Sequence, residues 1–143
     1  ITTTLRTRGA DLSDTHVVLW NGAKVEVYEL NAPAPGQAFL SSEFDSAASV
    51  LALHGERIFM VVDGRLDVAN LRGVVRSTLP FLDTEGPPAL LHAAGPVLAA
   101  CTSKGVLRVW DVSRNEPRQL AAGKTFQAPG AGPVCSIRAN PFG

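Results

Sequence analysis

The sequence predicts an all-β fold made of repeated four-stranded antiparallel units. Three observations support this prediction: short apolar segments rich in β-branched residues, hairpin turns between them, and a constant spacing of both along the chain. Glycine interrupts these segments about every ten residues, whereas amphipathic helices need longer stretches with 3.6-residue periodicity. The pattern therefore favours strands over helices.

Turn sequences separate predicted strands at three places. Asn21-Gly22 and Asp63-Gly64 are strong hairpin signals because the central residues of the turn must tolerate positive φ. Lys104-Gly105 occupies the corresponding place in the last third of the chain. Three hairpins of this kind indicate three similar structural units.

Equivalent residues also recur at a period close to 41. Val27, Val68 and Val109 are separated by 41 and 41 residues, and Tyr28, Ala69 and Trp110 share that spacing. A period near 41 with four short strands per unit is typical of a WD40-like β-propeller. The fold class predicted is therefore an all-β, WD40-like propeller with about three four-stranded antiparallel blades of a larger ring, since propellers use about four to eight blades.

The predicted blade units are residues 1–46, 47–88 and 89–128, with the start of a further blade at 129–143. In the second and third units the predicted strands are Ser49–Leu53, Arg57–Val62, Arg65–Leu71, Val74–Phe81, Ala89–Ala93, Pro96–Thr102, Val106–Val112 and Arg118–Ala122. The first unit lacks a clear inner strand: Thr2–Arg8 is either that strand or the outer strand of a preceding blade. Val134–Ile137 begins the further blade. The predicted surface connectors are Asn31–Gln37, Asp83–Pro88 and Pro129–Pro133.

Composition excludes several classes of function. The 143 residues carry 13 basic and 13 acidic side chains, so the chain lacks the positive surplus that nucleic-acid binding needs. No apolar run approaches the roughly 18 residues of a membrane-spanning helix. Cys101 and Cys135 are too few for a disulfide scaffold or a metal site and are expected to be packed, reduced thiols.

The sequence offers no catalytic, cofactor or metal site. His54 and His92 follow successive inner strands, yet no further metal ligand has suitable spacing, so ordinary hydrogen-bonded histidines are expected. The carboxylate pairs Asp83/Glu85 and Glu43/Asp45 are placed in polar connectors as solvated turn residues. Trp20, Tyr28 and Trp110 occupy strand positions and are expected in the core.

Arginine is the most informative charged residue, because the sequence contains 10 arginines and only 3 lysines. Arginine forms bidentate pairs and is enriched at protein interfaces. Two interpretations stay open: pairing with Asp67, Asp111 and Glu116, or a surface that faces a partner or lipid head groups. The candidate partner-binding residues are Arg65, Arg72, Arg76, Arg114 and Arg118.

Several stretches resemble one family of repeat proteins. Trp110-Asp111 is the dipeptide that names WD repeats. The segments that carry the closer resemblance, in this order, are Trp20–Gly22, Val25–Leu30, Val50–Phe59, Gly73–Arg76, Phe81–Leu91 and Trp110–Glu116. Together they resemble the second propeller of the intraflagellar transport protein 140 family, from about Asp14 to Phe142. The chain departs from a typical WD repeat in having Lys104 at a turn and no Gly-His pair, so the Asp–His–Ser/Thr network of such repeats is not expected.

The resemblance implies a non-catalytic scaffold in intraflagellar transport complex A. It implies retrograde ciliary transport and ciliary entry of membrane cargo. The implied partners are the other complex A subunits, membrane-protein cargo adaptors, the rest of the propeller and a C-terminal helical solenoid. The implied location is the cilium or flagellum, basal body and cytoplasm. Two alternatives stay open: a WD adaptor of a vesicle-coat-type complex, or a propeller enzyme that uses its central channel.

Overall fold

The computed structural model describes residues 2–30, 37–125 and 136–140, and no side chain between 121 and 125. It contains twelve strands within this part of the chain. The strands are β1 (Gly9–Leu12), β2 (His16–Trp20), β3 (Lys24–Glu29), β4 (Phe39–Asp45), β5 (Val50–His54), β6 (Arg57–Val62), β7 (Arg65–Asn70), β8 (Val75–Leu79), β9 (Pro88–Ala94), β10 (Val97–Thr102), β11 (Val106–Asp111) and β12 (Arg118–Thr125). A 3₁₀ turn, Asp83–Glu85, precedes β9.

The strands form three four-stranded antiparallel sheets in simple meander order, which confirms the predicted repeat. The first sheet is β1–β4, the second β5–β8 and the third β9–β12. The first two sheets lie in one compact unit, Ile1–Leu79, and the third lies in another, Pro80–Gly143.

The predicted hairpin turns are confirmed by the backbone. Asp63 and Gly64 both have positive φ, at 49° and 73°, which is the requirement of a type I′ turn. Gly22 and Gly105 also lie in the left-handed region, at 88° and 79°. Each turn joins the second and third strands of its sheet, and the 41-residue period follows from this common architecture.

Packing between the first two sheets forms the core of the first unit. Val18, Val25 and Val27 of the first sheet are fully buried in one cluster with Ile58 and other side chains of the second sheet. Asp11 adds a polar link, because its Oδ2 accepts a hydrogen bond from the Leu53 N–H at 2.8 Å. The predicted core aromatics Trp20, Tyr28 and Trp110 are all buried, as is Cys101.

The first sheet corrects the prediction for its inner strand. Residues 2–8 form no strand, and the inner strand is β1, which begins at Gly9. At the start of this strand a Cβ at position 9 would lie 2.4 Å from Cζ2 of Trp20, so glycine lets the strand pair across this indole. Residues 2–8 are connected to the sheet through the Arg8 N–H, which donates to the Trp20 carbonyl at 2.7 Å.

The structure also corrects two predictions about connectors and leaves the others untested. Glu43 and Asp45 lie in β4, not in a connector, because β4 pairs with β3 as the outer strand. Glu85 is buried, at 8 % exposure, within the segment expected to be a solvated surface loop. Val134 and Cys135 of the further predicted blade, together with 129–133 and all but Gln37 of 31–37, lie outside the described residues, and 136–140 contain no strand.

Candidate interaction surface

The five candidate arginines fall into separate places. Arg65 begins β7, and its side chain is 62 % exposed with Nη2 3.8 Å from Oδ2 of the buried Asp67. Arg72 lies in the β7–β8 turn, at the opposite end of β7, about 17 Å away at roughly 3.3 Å per strand residue. The structure therefore does not gather Arg65 and Arg72 into one cluster. Arg65 pairs with Asp67, which is one of the two roles that the sequence left open for the arginines.

Arg72 and Arg76 share the β7–β8 hairpin with two exposed valines. Asn70 Oδ1 shapes the turn by accepting the N–H groups of Arg72 and Val74 at 2.9 and 3.0 Å. Val74 and Val75 are 49 % and 47 % exposed, and Arg76 is exposed beside them. The register shift between Val68 and Ala69 leaves Arg76 as an extra residue on the edge strand. This hairpin thus combines exposed apolar and guanidinium groups on an open sheet edge.

Arg114 and Arg118 lie at the β11–β12 turn in a different environment. Together with Asp111 and Glu116 they line a small pocket of about 90 Å³. Hydrogen bonds from the Ser113 hydroxyl and N–H, at 2.6 and 2.9 Å, lower the pKa of Asp111, and the charges of Arg114 and Arg118 act in the same direction. The pocket is therefore balanced in charge, unlike the β7–β8 hairpin.

Arg108 forms a buried ion pair that the sequence analysis missed. Its Nη2 and Nε contact both carboxylate oxygens of Glu85 at 2.8–3.2 Å, and only 12 % and 11 % of the two side chains are exposed. Its guanidinium also lies 5.5 Å from the ring centroid of Phe81, which packs edge-on against Trp110. Although burial raises the pKa of Glu85, the Leu82 N–H and the Arg108 guanidinium more than offset it, so the pKa lies below its usual range.

The same repeat position carries a charged residue in all three sheets. Glu26, Asp67 and Arg108 are 41 residues apart, each in the third strand, and each is largely buried. Thr3 donates to Glu26 from 23 residues upstream, and Glu85 binds Arg108 across the same separation. These groups therefore form polar contacts at the same third-strand position of each sheet. The 41-residue spacing of three charged residues was the available signal in the sequence.

Two of the three histidines form ordinary hydrogen bonds, and none of the three belongs to a metal-binding group of described residues. His92 Nδ1 accepts a hydrogen bond from the Ala139 N–H at 2.8 Å, and His16 Nδ1 lies 2.8 Å from the Thr15 hydroxyl. His54 Nδ1 is buried and has no hydrogen-bond partner among the described residues. Within 2–30, 37–125 and 136–140, no group of three His, Cys, Asp or Glu residues could hold a metal ion.

No helix in the described part of the chain is long and apolar enough to cross a membrane.

Solved structures similar to this chain are β-propeller proteins. The N-terminal domain of Nup159 matches with a TM-score of 0.52 and 18 % identity, over 80 % of this chain and 34 % of that one. A segment of HIRA matches with a TM-score of 0.55 and 17 % identity, over 83 % and 40 %. Hsv2 of Kluyveromyces lactis matches with a TM-score of 0.55 and 14 % identity, over 83 % and 39 %. The chain thus spans about a third of the length of the first of these structures and about two-fifths of the other two.

Identities this low establish the fold alone, which is the predicted WD40-like β-propeller with three four-stranded blades. A family model gives the closer assignment: the model of the IFT140 second beta-propeller matches residues 1–143. This match agrees with the resemblance carried by the segments between Trp20 and Glu116. The chain therefore belongs to the family of the IFT140 second β-propeller.

Proposed function

We propose that this propeller segment is a non-catalytic scaffold that holds protein partners within intraflagellar transport complex A. The observation that supports this most is the family match over residues 1–143. In this proposal the parent protein serves retrograde ciliary transport and ciliary entry of membrane cargo. It acts at the cilium or flagellum and basal body and also occurs in the cytoplasm. Its partners are other complex A subunits and cargo adaptors.

The β7–β8 hairpin is the partner-binding surface that the geometry favours. Arg72 and Arg76 provide guanidinium groups, and the exposed Val74 and Val75 provide apolar area beside them. Arginine beside apolar area matches the composition of protein interfaces. Arg114 and Arg118 are weaker candidates because Asp111 and Glu116 share their pocket. Arg65 is weaker still because it already faces Asp67.

The test is affinity purification of the tagged parent protein from ciliated cells, with quantitative mass spectrometry of the complex A subunits. The double variant Arg72→Glu/Arg76→Glu should lower recovery of at least one subunit severalfold. The matched control is Arg6→Glu/Arg8→Glu, which reverses two exposed charges on the first sheet's leading segment. Normal recovery with the hairpin variant would rule out this surface, and recovery of coat proteins in place of complex A would favour the vesicle-coat adaptor.

A further inference from the structure

One position on the inner strand recurs in all three sheets. The strand registers connect Val27 of the first sheet, across β2, to Asp11 on β1. They connect Val109 of the third sheet, across β10, to His92 on β9 in the same way. Val27 and Val109 lie two 41-residue repeats apart, so Asp11 and His92 are equivalent residues. The equivalent residue of the second sheet is Ala52, and we call this shared place the link position.

Asp11 and His92 make the same type of contact from the link position. Asp11 Oδ2 accepts the Leu53 N–H at 2.8 Å, and His92 Nδ1 accepts the Ala139 N–H at 2.8 Å. The donor lies 42 residues after Asp11 and 47 residues after His92. Because an amide N–H only donates, Nδ1 of His92 carries no proton in this contact. Each side chain thus binds backbone that lies about one repeat further along the chain.

The first of these contacts shows what the link does. β1 and β5 belong to separate sheets, so no backbone ladder fixes one strand against the other. β5 is an edge strand, and alternate amides of an edge strand point away from its sheet. Leu53 is buried, so its outward amide needs a partner, which the Asp11 carboxylate supplies. The link therefore satisfies a buried amide and sets the register between the inner strands of successive sheets.

The segment that His92 binds has the exposure pattern of a strand. Within residues 136–140, Ile137 and Ala139 are half-buried, and the three residues that alternate with them are exposed. Alternation with a period of two is the pattern of a strand with one covered face. The segment pairs with no strand in the described part of the chain, so it forms no ladder there. Its covered face is the one that carries the Ala139 contact to His92.

Alignment on the donor amide relates this segment to β5. When Ala139 is placed on Leu53, Ile137 falls on Leu51, and both of these β5 residues are buried and apolar. Arg138 then falls on the link position, and it is exposed. The apolar positions and the donor amide of β5 therefore recur together in this segment.

We propose that residues 136–140 form the inner strand of a further blade on the third sheet, and that His92 is the positioning residue that sets its register. Asp11 has this role for β5 in the first unit. The occupant of the face that carries His92 is thus the continuation of this chain and not a separate partner. This inference concerns how blades are joined and goes beyond the proposed binding of partners at the β7–β8 hairpin.

Hydrogen–deuterium exchange on the parent protein, measured on peptides that cover residues 136–140, tests the link. His92→Leu removes the acceptor and should speed exchange in these peptides about threefold or more, because the Ala139 amide loses its partner. His92→Asp and His92→Asn supply an oxygen acceptor, as Asp11 does, and should keep exchange close to that of the native protein. The matched control is His54→Leu, because Nδ1 of His54 has no hydrogen-bond partner among the described residues.

The first unit provides a second readout of the same link. Asp11→Leu should speed exchange of β5 around Leu53, whereas Asp11→Asn should not. Unchanged exchange of residues 136–140 in His92→Leu would overturn the assignment. Equal acceleration in His92→Leu and His92→Asn would also overturn it, because the side chain would then contribute by packing alone. Fast exchange of residues 136–140 in the native parent protein would contradict an inner strand there. None of these outcomes depends on complex A, so the proposed function is tested separately.

Discussion

Removing the guanidinium from Arg108 should expose how much the third sheet depends on its buried ion pair. Arg108→Met keeps the length and apolar character of the side chain but leaves the Glu85 carboxylate without its cation. Removing one partner of a buried pair costs about 3–5 kcal/mol, and residual exposures of 12 % and 11 % place this pair near the lower end. We therefore expect the free energy of unfolding to fall by about 3 kcal/mol.

The two tryptophans allow this change to be read in the second unit alone. Trp20 lies in the first unit and Trp110 in the second, where its ring contacts Phe81 at a centroid distance of 5.7 Å. In a Trp20→Phe background, urea unfolding followed by fluorescence therefore reports on the surroundings of Arg108. The double variant Arg108→Met/Glu85→Leu should recover part of the loss, because neither charge is then left unpaired.

An exposed ion pair provides the control for this experiment. Lys24 and Glu43 lie 3.4 Å apart, with side chains 40 % and 52 % exposed, so Glu43→Gln should change stability by less than about 1 kcal/mol. A loss below about 1 kcal/mol for Arg108→Met, or no recovery in the double variant, would refute the reasoning, since the pair would then add no more than a surface contact.

Three further predictions follow from single sites. The pKa of Glu85 is lowered in the folded state, so the stability that this carboxylate adds is present above its unfolded-state pKa and is lost as the pH falls through its folded-state pKa. The difference in urea midpoint between the native protein and Glu85→Gln should therefore shrink with acidification. In urea unfolding, Gly73→Ala should lower the free energy of unfolding by at least about 2 kcal/mol more than Gly55→Ala does. Both glycines have positive φ, but only at Gly73 would a Cβ lie 2.5 Å from the Phe44 ring. Equal losses for the two variants would refute this prediction. Cys101 is a free, buried thiol, and burial raises its pKa. A thiol reagent should therefore modify Cys101 only as fast as the protein unfolds. Fast modification of the folded protein would contradict its buried position.

The strand pattern could be predicted from sequence because it depends on local residues. β6 begins and ends at the predicted residues, Arg57 and Val62, since the Asp63-Gly64 turn fixes its end. The prediction for the inner strand of the first sheet was wrong: the strand begins at Gly9, which pairs with Trp20 on the next strand and has its indole within 2.4 Å of where a Cβ would lie. Local propensity at Thr2–Arg8 contains no information on that contact.

The polar contacts were harder to predict for the same reason. Asp83 and Glu85 have identical charge and lie two residues apart, yet only Glu85 is buried. The reason is its ion pair with Arg108, which lies 23 residues further along the chain. The candidate arginines show the same limit. Arg65 and Arg72 lie at opposite ends of β7, so a set of arginines that are close in sequence does not define one surface.

The most direct test of the scaffold account is hydrogen–deuterium exchange on the parent protein, alone and within purified complex A. β8 is an open edge strand whose outer backbone groups pair with no other strand of its sheet. Assembly should slow amide exchange across the β7–β8 hairpin, from Arg72 to Leu79, relative to the free protein. Unchanged exchange across this hairpin in the assembled complex would contradict its role as the partner-binding surface, and absence of the protein from purified complex A would contradict the scaffold account itself.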